Sequence, residues 1–323
     1  MIWINSIRLK SNASAPGKVI LFGEHFVVYG VKAILCAINK RIIVSASKRQ
    51  EKIISIKSNI GDLKISPHRP ITEISSPLKP FYFLANKMIE KHSQNIGIEI
   101  IVKSEIPLGV GLGSSSACCV AGAAAISRLF SATSKEEILE LAIEAEKTIF
   151  PNTSGADCTV CTFGGIMEYN KDTGFSKINV KPNFHLVIAN SKIEHSTETI
   201  VSNVKQFRND NEKTFSNLCK EESDLIERVL ILLKNNDLRN IGKNMIKNQE
   251  YLEIIGISNK KLRSMIELAK KSSFGAKITG AGGGGCIIAL ADESNLENVM
   301  DQFRVENYEC FSAKIDYKGL DTF

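Results

Sequence analysis

Apolar and polar positions recur along this chain in patterns that mark out most of its elements. Residues 19–22 are a short apolar run between Gly17 and Gly23 and predict a buried strand. Residues 42–46 and 53–56 predict two more strands, and residues 58–80, with four prolines and no sustained period, a long connection. An amphipathic helix over 81–92 leads into an alternating strand over 98–102, closed by Pro107. Residues 117–130 are small and apolar, with no charge before Arg128, and predict a buried helix.

The stretch 134–150 carries more information. Ser134 and Glu137 make a capping-box pattern that opens a helix. At about 100° per residue, Leu141, Ala145, Ile138, Ile149, Ala142, Leu139 and Ile143 cover one continuous arc, with Glu136, Lys147, Glu140 and Glu144 opposite. Glu146 falls inside the apolar arc. A buried carboxylate is costly alone, so Glu146 needs a cation, a metal or strong donors. A structural ion pair and Mg²⁺ both satisfy that need.

Small residues around Gly155 predict a turn that brings backbone close to a ligand, with Asp157 its only charge. A strand over 164–169 follows, and the first lobe ends near Val180. Residues 185–189 read as a strand and 190–197 as a polar loop, followed by helices over 198–209, 213–234, 236–254 and 258–272, the last capped by Ser258. Then 276–279, 280–285 and 286–290 read as strand, loop and strand; a helix over 294–304 and a strand over 308–315 complete a ferredoxin-like layer. Five glycines in the six-residue loop mean either tightly packed backbone or approach to a ligand. The division is therefore a first lobe of residues 1–182 and a second of 183–323, an α+β chain with a cleft between two lobes.

Composition narrows the class. A chain of 323 residues is long enough for two lobes, and 43% hydrophobic with 24% charged residues describes an ordinary soluble globular protein. No segment approaches a membrane span and the start lacks a signal-peptide pattern, so a cytoplasmic location is the expectation. Eight cysteines in a chain of this length, several in apolar segments, read as reduced thiols. Cys158 and Cys161 form a CxxC with no second pair at metal spacing. The net charge of +6 is scattered, with no basic stripe interleaved with aromatics, so neither nucleic acid nor membrane is expected as a partner.

The candidate chemistry centres on residues 109–117, Gly-Val-Gly-Leu-Gly-Ser-Ser-Ser-Ala, between a strand and a helix. Glycines admit an oxyanion to the backbone, and the unpaired N–H groups and positive dipole end of the helix point at it. The serines can cap the helix, donate to phosphate or ligate Mg²⁺. A tight turn would also use these residues. A Walker A loop needs Lys after its last glycine, and the dinucleotide fingerprint needs a further glycine; Ser114 stands at both places. Lys18, Glu24 and His25 flank the first apolar strand, as groups projected into a pocket or as solvated strand ends.

Three stretches, PGKVILFGEHFVVYG, PLGVGLGSSSA and KITGAGGGGC, resemble the three motifs of the GHMP kinases. The first of them, together with NTSGADCTVCTFGG, is similar to the mevalonate kinase branch of that family. The resemblance spans nearly the whole chain. It implies a two-lobed α+β fold, an N-terminal kinase domain and a C-terminal ferredoxin-like domain. It further implies ATP as co-substrate, Mg²⁺, mevalonate phosphorylated at its 5-hydroxyl, and a homodimer. Pro107, Gly109, Gly111, Leu112, Gly113, Ser114, Ser115 and Ser116 would hold ATP, with Ser115 and Glu146 on Mg²⁺. Asp157 would accept or orient the hydroxyl proton, and Lys18 would lower the Asp157 pKa and stabilise the transferring phosphoryl group. Lys18, Glu24, His25, Asp157, His195, Thr197, Ala281 and Gly282 would surround the acceptor. His195 stands where mevalonate kinases usually carry Arg, and a neutral imidazole holds a carboxylate less firmly than a guanidinium. The alternative is therefore another alcohol, or the 3-hydroxyl of mevalonate, unless Lys192 compensates. A nucleotide-binding protein without turnover is the competing class; it would lack some of Lys18, Glu146 and Asp157, and all three are present.

Overall fold

In the computed structural model, which describes residues 9–107, 111–194 and 196–323, the first lobe is built on a sheet of eight strands. β1 (Lys10–Phe22) runs antiparallel to β2 (Ala33–Arg49), and both extend well beyond their apolar runs. The extra length of β1 is small and polar, and its register shifts between Pro16 and Gly17. Such a bulge is where a strand tolerates proline. β3 (Ile54–Ser58) pairs antiparallel with β4 (Gly61–Ile65) and parallel with β5 (Gly97–Ser104), which continues onto β2. The proline-rich connection thus contains a strand, β4, whose half-buried Leu63 and Ile65 are too few to set a period.

α1 (Lys79–Lys91), α2 (Ser114–Ser127) and α3 (Lys135–Lys147) lie where the periodicity puts them. The capping box is present: Glu137 N–H donates to Ser134 Oγ at 3.2 Å and Ser134 N–H to Glu137 Oε2 at 2.8 Å. α2 packs on β1 and β2, and from Ser116 to Ser127 every residue except Cys118 is buried. Beyond the turn at Gly155 comes a helix the periodicity does not announce, α4 (Ala156–Phe163), only eight residues long. Gly155 opens it at φ +75, and a Cβ there would lie 2.6 Å from Ile143 Cδ1, so the α3–α4 corner requires glycine. The hairpin of β6 (Ile166–Asn170) and β7 (Gly174–Ile178) pairs with the start of β2.

The second lobe has the ferredoxin-like order. β8 (His185–Asn190), β9 (Gly275–Ile278), β10 (Cys286–Ala291) and β11 (Cys310–Ala313) form an antiparallel sheet, β11-β8-β10-β9. Between β8 and β9 run α5 (Thr197–Asp210), α6 (Glu212–Lys234), α7 (Leu238–Ile254) and α8 (Lys260–Lys270); α9 (Leu296–Val305) joins β10 to β11. The cap of α8 is Asn259 rather than Ser258: its Oδ1 accepts from Leu262 N–H at 3.0 Å while its Nδ2 donates to Gly283 O at 3.0 Å. Asn259 thereby ties the helix to the glycine loop, which a serine is too short to do.

The chain ends in the other lobe. β12 (Asp321–Thr322) pairs with β1 at Ala13 and Ser14. Arg41 holds this tail, donating to Ser14 O at 2.9 Å and Gly319 O at 2.7 Å and pairing with Asp316. All eight cysteines are free thiols, and burial pushes Cys118 and Cys286 up to about 12. No helix among the described residues is long and apolar enough to cross a membrane.

Candidate active site

Lys18 lies near the end of β1 and Asp157 in the first turn of α4, which together bring Nζ and Oδ2 to 3.0 Å. The lysine side chain is 7% exposed and the aspartate 33%, so the ammonium is walled in while the carboxylate remains open to a ligand. The wall is the glycine loop. Lys18 N–H donates to Leu112 O at 2.9 Å, and a Cβ on Gly113 would sit 2.6 Å from Lys18 Cγ. Gly111 and Gly113 have φ of +78 and +70, where glycine is favoured. Leu112 turns its side chain into the core, so it offers a ligand only backbone.

α2 starts directly after Gly113 with no side-chain cap, leaving its first N–H groups and dipole end for an anion. Ser114 and Ser115 are half-buried there and Ser116 is buried. Ser116 Oγ donates to Glu146 Oε1, and Thr153 Oγ1 to Glu146 Oε2 at 2.5 Å. Glu146 is 3% exposed and, among the described residues, no lysine or arginine pairs with it. Hydroxyl donors, not an ion pair, hold it. Ser115 Oγ is enclosed without a hydrogen-bond partner among the described residues. A lone carboxylate with a spare hydroxyl oxygen, at a helix start suited to phosphate, fits Mg²⁺, a hard cation that takes few protein ligands beside substrate phosphates.

On the other side, His25 has φ +61 and its Nε2 donates to Ala281 O at 2.8 Å. Burial pushes its pKa down, so the ring is neutral at pH 7, with the proton on the nitrogen that faces the carbonyl. Thr279 Oγ1 accepts from Ile20 N–H at 3.1 Å and donates to Ile20 O at 2.9 Å, stitching the two lobes together. The loop 280–285 mostly serves packing: a Cβ on Gly282 would meet Ile257 O at 2.6 Å, and Gly283 N–H donates to that oxygen at 2.7 Å. Gly280 differs, since the nearest atom to its Cβ position is Gly111 O at 3.8 Å. The two glycine loops face each other across the cleft.

Glu24, read from the sequence as part of the acceptor pocket, is wholly enclosed and paired with the equally buried Lys277 of β9. Thr197 is the exposed first residue of α5, behind a cap at Ser196, and Pro107 is half-buried. Lys192, the candidate to replace the missing arginine, pairs with Glu309 at 3.6 Å on the surface. Gly109 and His195 lie outside the described residues. Thr153, Thr279, Lys277 and Glu222 have structural parts the sequence reading did not assign. A separate cavity of about 510 Å³, lined by Val28, Tyr29, Arg208 and Phe215 among others, does not include the Lys18–Asp157 pair.

Residues 81–165 match the N-terminal domain description of the GHMP kinases and residues 229–310 the C-terminal one. The chain belongs to the GHMP kinase family, and as such a kinase it takes ATP as co-substrate. Its similarity within the family is to mevalonate kinases. It is 33% identical to the mevalonate kinase of Pyrococcus furiosus over 97% of this chain and 98% of that one. With the mevalonate kinase of Aeropyrum pernix the identity is 30%, again over 97% and 98% of the two chains. The crystal structure of the Methanococcus jannaschii mevalonate kinase matches with a TM-score of 0.83 at 29% identity, covering 94% of this chain and 98% of that one.

Proposed function

We propose that the chain transfers the γ-phosphoryl group of ATP to the 5-hydroxyl of (R)-mevalonate, giving 5-phosphomevalonate and ADP. The observation that carries this reading is the Lys18–Asp157 pair at 3.0 Å, set against Gly113 of the glycine loop. Full-length similarity to mevalonate kinases supports the choice of acceptor.

Phosphoryl transfer asks for position and charge rather than covalent chemistry. The N–H groups of the glycine loop and the first turn of α2 receive the ATP phosphates. Asp157, partly exposed, accepts the proton of the attacking hydroxyl as the oxygen–phosphorus bond forms and the bond to the ADP oxygen breaks. Lys18 fixes the orientation of the Asp157 carboxylate and faces the charge that builds on the transferring group. Ser115 and Glu146 would hold Mg²⁺, which would neutralise phosphate charge. His25, Thr197 and the Ala281–Gly282 backbone surround the acceptor, with His195 on the acceptor loop. The first lobe, residues 1–182, brings the phosphates and catalytic pair, and the second, 183–323, the acceptor loop, its last strand returning to the first lobe.

An ADP-release assay over mevalonate, 5-phosphomevalonate, homoserine and galactose tests this. The reading predicts a kcat/KM for mevalonate at least about 100-fold above the others, a gap normal for a site that pairs buried polar groups with its substrate. Turnover confined to another alcohol would overturn the acceptor; folded protein idle on all four would overturn the kinase.

A further inference from the structure

Behind the cleft, and unused by the chemistry above, lies a cluster of buried polar side chains drawn from three elements and the turn after β1. Glu24 follows β1, Lys277 lies in β9, Glu222 in α6 and Asn248 in α7, and all are buried. Lys277 Nζ pairs with Glu24 Oε1 and donates to Ile278 O at 2.8 Å. Asn248 Nδ2 donates to Glu222 Oε1 at 2.7 Å, and Ile278 N–H donates to Gln249 Oε1 at 2.9 Å. Lys277 thus pairs with Glu24 alone, while Glu222, held by Asn248, lies in the field of both charges in an interior where an unpaired charge is costly.

Resting on the kinase reading, we infer that Glu24 and Lys277 are positioning residues whose ion pair clamps the Gly23–His25 turn of the first lobe onto the 277–281 segment of the second and so sets the cleft. Three features support the clamp. The residue after Glu24 is His25, held at φ +61, a conformation a non-glycine residue keeps only when its surroundings enforce it. Four residues after Lys277 is Ala281, whose carbonyl receives the His25 ring at 2.8 Å. The same two segments carry Ile20 and Thr279, joined by a reciprocal pair of hydrogen bonds. One oxygen of the Glu24 carboxylate is already taken by Lys277, so the group faces the second lobe's strand rather than open space.

Glu222 completes the cluster. Glu24 Oε2, Glu222 Oε2 and Asn248 Oδ1 are all enclosed acceptors with no partner among the described residues. One proton on Glu222 turns an orphaned acceptor into a donor and leaves a single ammonium facing a single carboxylate. Burial, with the Glu24 charge adding to it, pushes Glu222 up to about 7, against the pull of Asn248, Lys277 and the Gly23 N–H. Burial acts on the pair as well, raising Glu24 and lowering Lys277, while each charge steadies the other and Lys18 adds to the field at Glu24.

The test compares Glu24→Gln, Lys277→Met, the double variant and Glu222→Gln. Hydrogen exchange of the ligand-free protein reads the clamp whatever the acceptor is. Each single clamp variant should speed exchange at least about tenfold over 20–31 and 277–285 while α2 stays protected. The charge-balanced double should recover part of that protection, because removing both partners leaves no stranded charge. In turnover, Glu24→Gln should lower kcat with nucleotide affinity within about threefold, and Glu222→Gln should leave activity unchanged. A Glu24→Gln protein with unchanged exchange and kcat but raised acceptor KM would make Glu24 a substrate ligand and overturn the inference. If wild type ignores mevalonate, the proposed function fails, while the exchange result still decides the clamp. Should Lys277→Met not fold, the near-isosteric Glu24→Gln carries the test alone.

Discussion

Gly113→Ala tests the link between the glycine loop and the Lys18–Asp157 pair, the proposed catalytic pair. The new methyl would lie 2.6 Å from Lys18 Cγ and 3.3 Å from Cε. Carbon atoms prefer roughly 3.5–4.0 Å, so the lysine stem must retreat by about 1 Å. It has little room, being 7% exposed with its backbone N–H bonded to Leu112 O. A displacement of that size at a catalytic group costs on the order of 100-fold in rate. Alanine at φ +70 adds a backbone penalty of about 1–2 kcal/mol. Gly174→Ala supplies the control: φ is +77 there, and no atom lies within 4 Å of the added methyl. Both variants should therefore melt a few degrees lower, whereas only Gly113→Ala should lose roughly 30- to 100-fold in kcat, read by ADP release at saturating substrates. Equal melting shifts with a Gly113→Ala kcat within about threefold of wild type would refute the idea that this glycine makes room for Lys18.

Glu146→Gln removes one acceptor from the Ser116–Glu146–Thr153 chain and should raise the Mg²⁺ concentration for half-maximal rate at least about tenfold, in a titration at fixed ATP; an unchanged requirement would make Glu146 structural. Asp157→Asn should lower kcat by about 10²–10⁴-fold and lower the melting temperature by a few degrees, because it takes the carboxylate from the walled-in Lys18 ammonium. Glu222 rises from an ordinary 4.5 to about 7, so the folded chain keeps a proton there that the unfolded chain has released. This contribution is full below about 4.5 and is lost as pH climbs to about 7, on the order of 3 kcal/mol in all. Urea unfolding at a series of pH values should show Glu222→Gln flattening that fall. The buried Cys36, Cys119, Cys158, Cys161 and Cys286, all raised by burial, should resist iodoacetamide at pH 7.5 until the chain is unfolded, as counted by mass spectrometry.

What the sequence displays is what is periodic and local. Counting around α3 isolates Glu146 as a carboxylate on an apolar face, and it is buried as that count requires. The same count on α6 would single out Glu222, which shares its buried face with Phe215, Leu218, Leu225, Ile226, Val229 and Leu233. The strand ends escape notice because their burial is borrowed: Ala13 and Ser14 are covered by β12, more than 300 residues later. α4 escapes because eight residues hold too few turns to show a period. Glu24 reads as a pocket residue because its partner Lys277 stands 253 positions away, and nothing local announces a pair that only the meeting of two lobes creates. Lys18 and Asp157 were legible through the motifs around them, but the role of Gly113 in walling the lysine needs the three-dimensional contact.

The most direct test of the central claim is ³¹P NMR of the purified protein with Mg·ATP and (R)-mevalonate, run beside Asp157→Asn. The account predicts ADP together with a phosphomonoester coupled to the C5 methylene protons, and neither signal above background in the variant. A phosphate on the 3-oxygen would contradict the proposed regiochemistry, and an Asp157→Asn protein that turned over like wild type would contradict the mechanism.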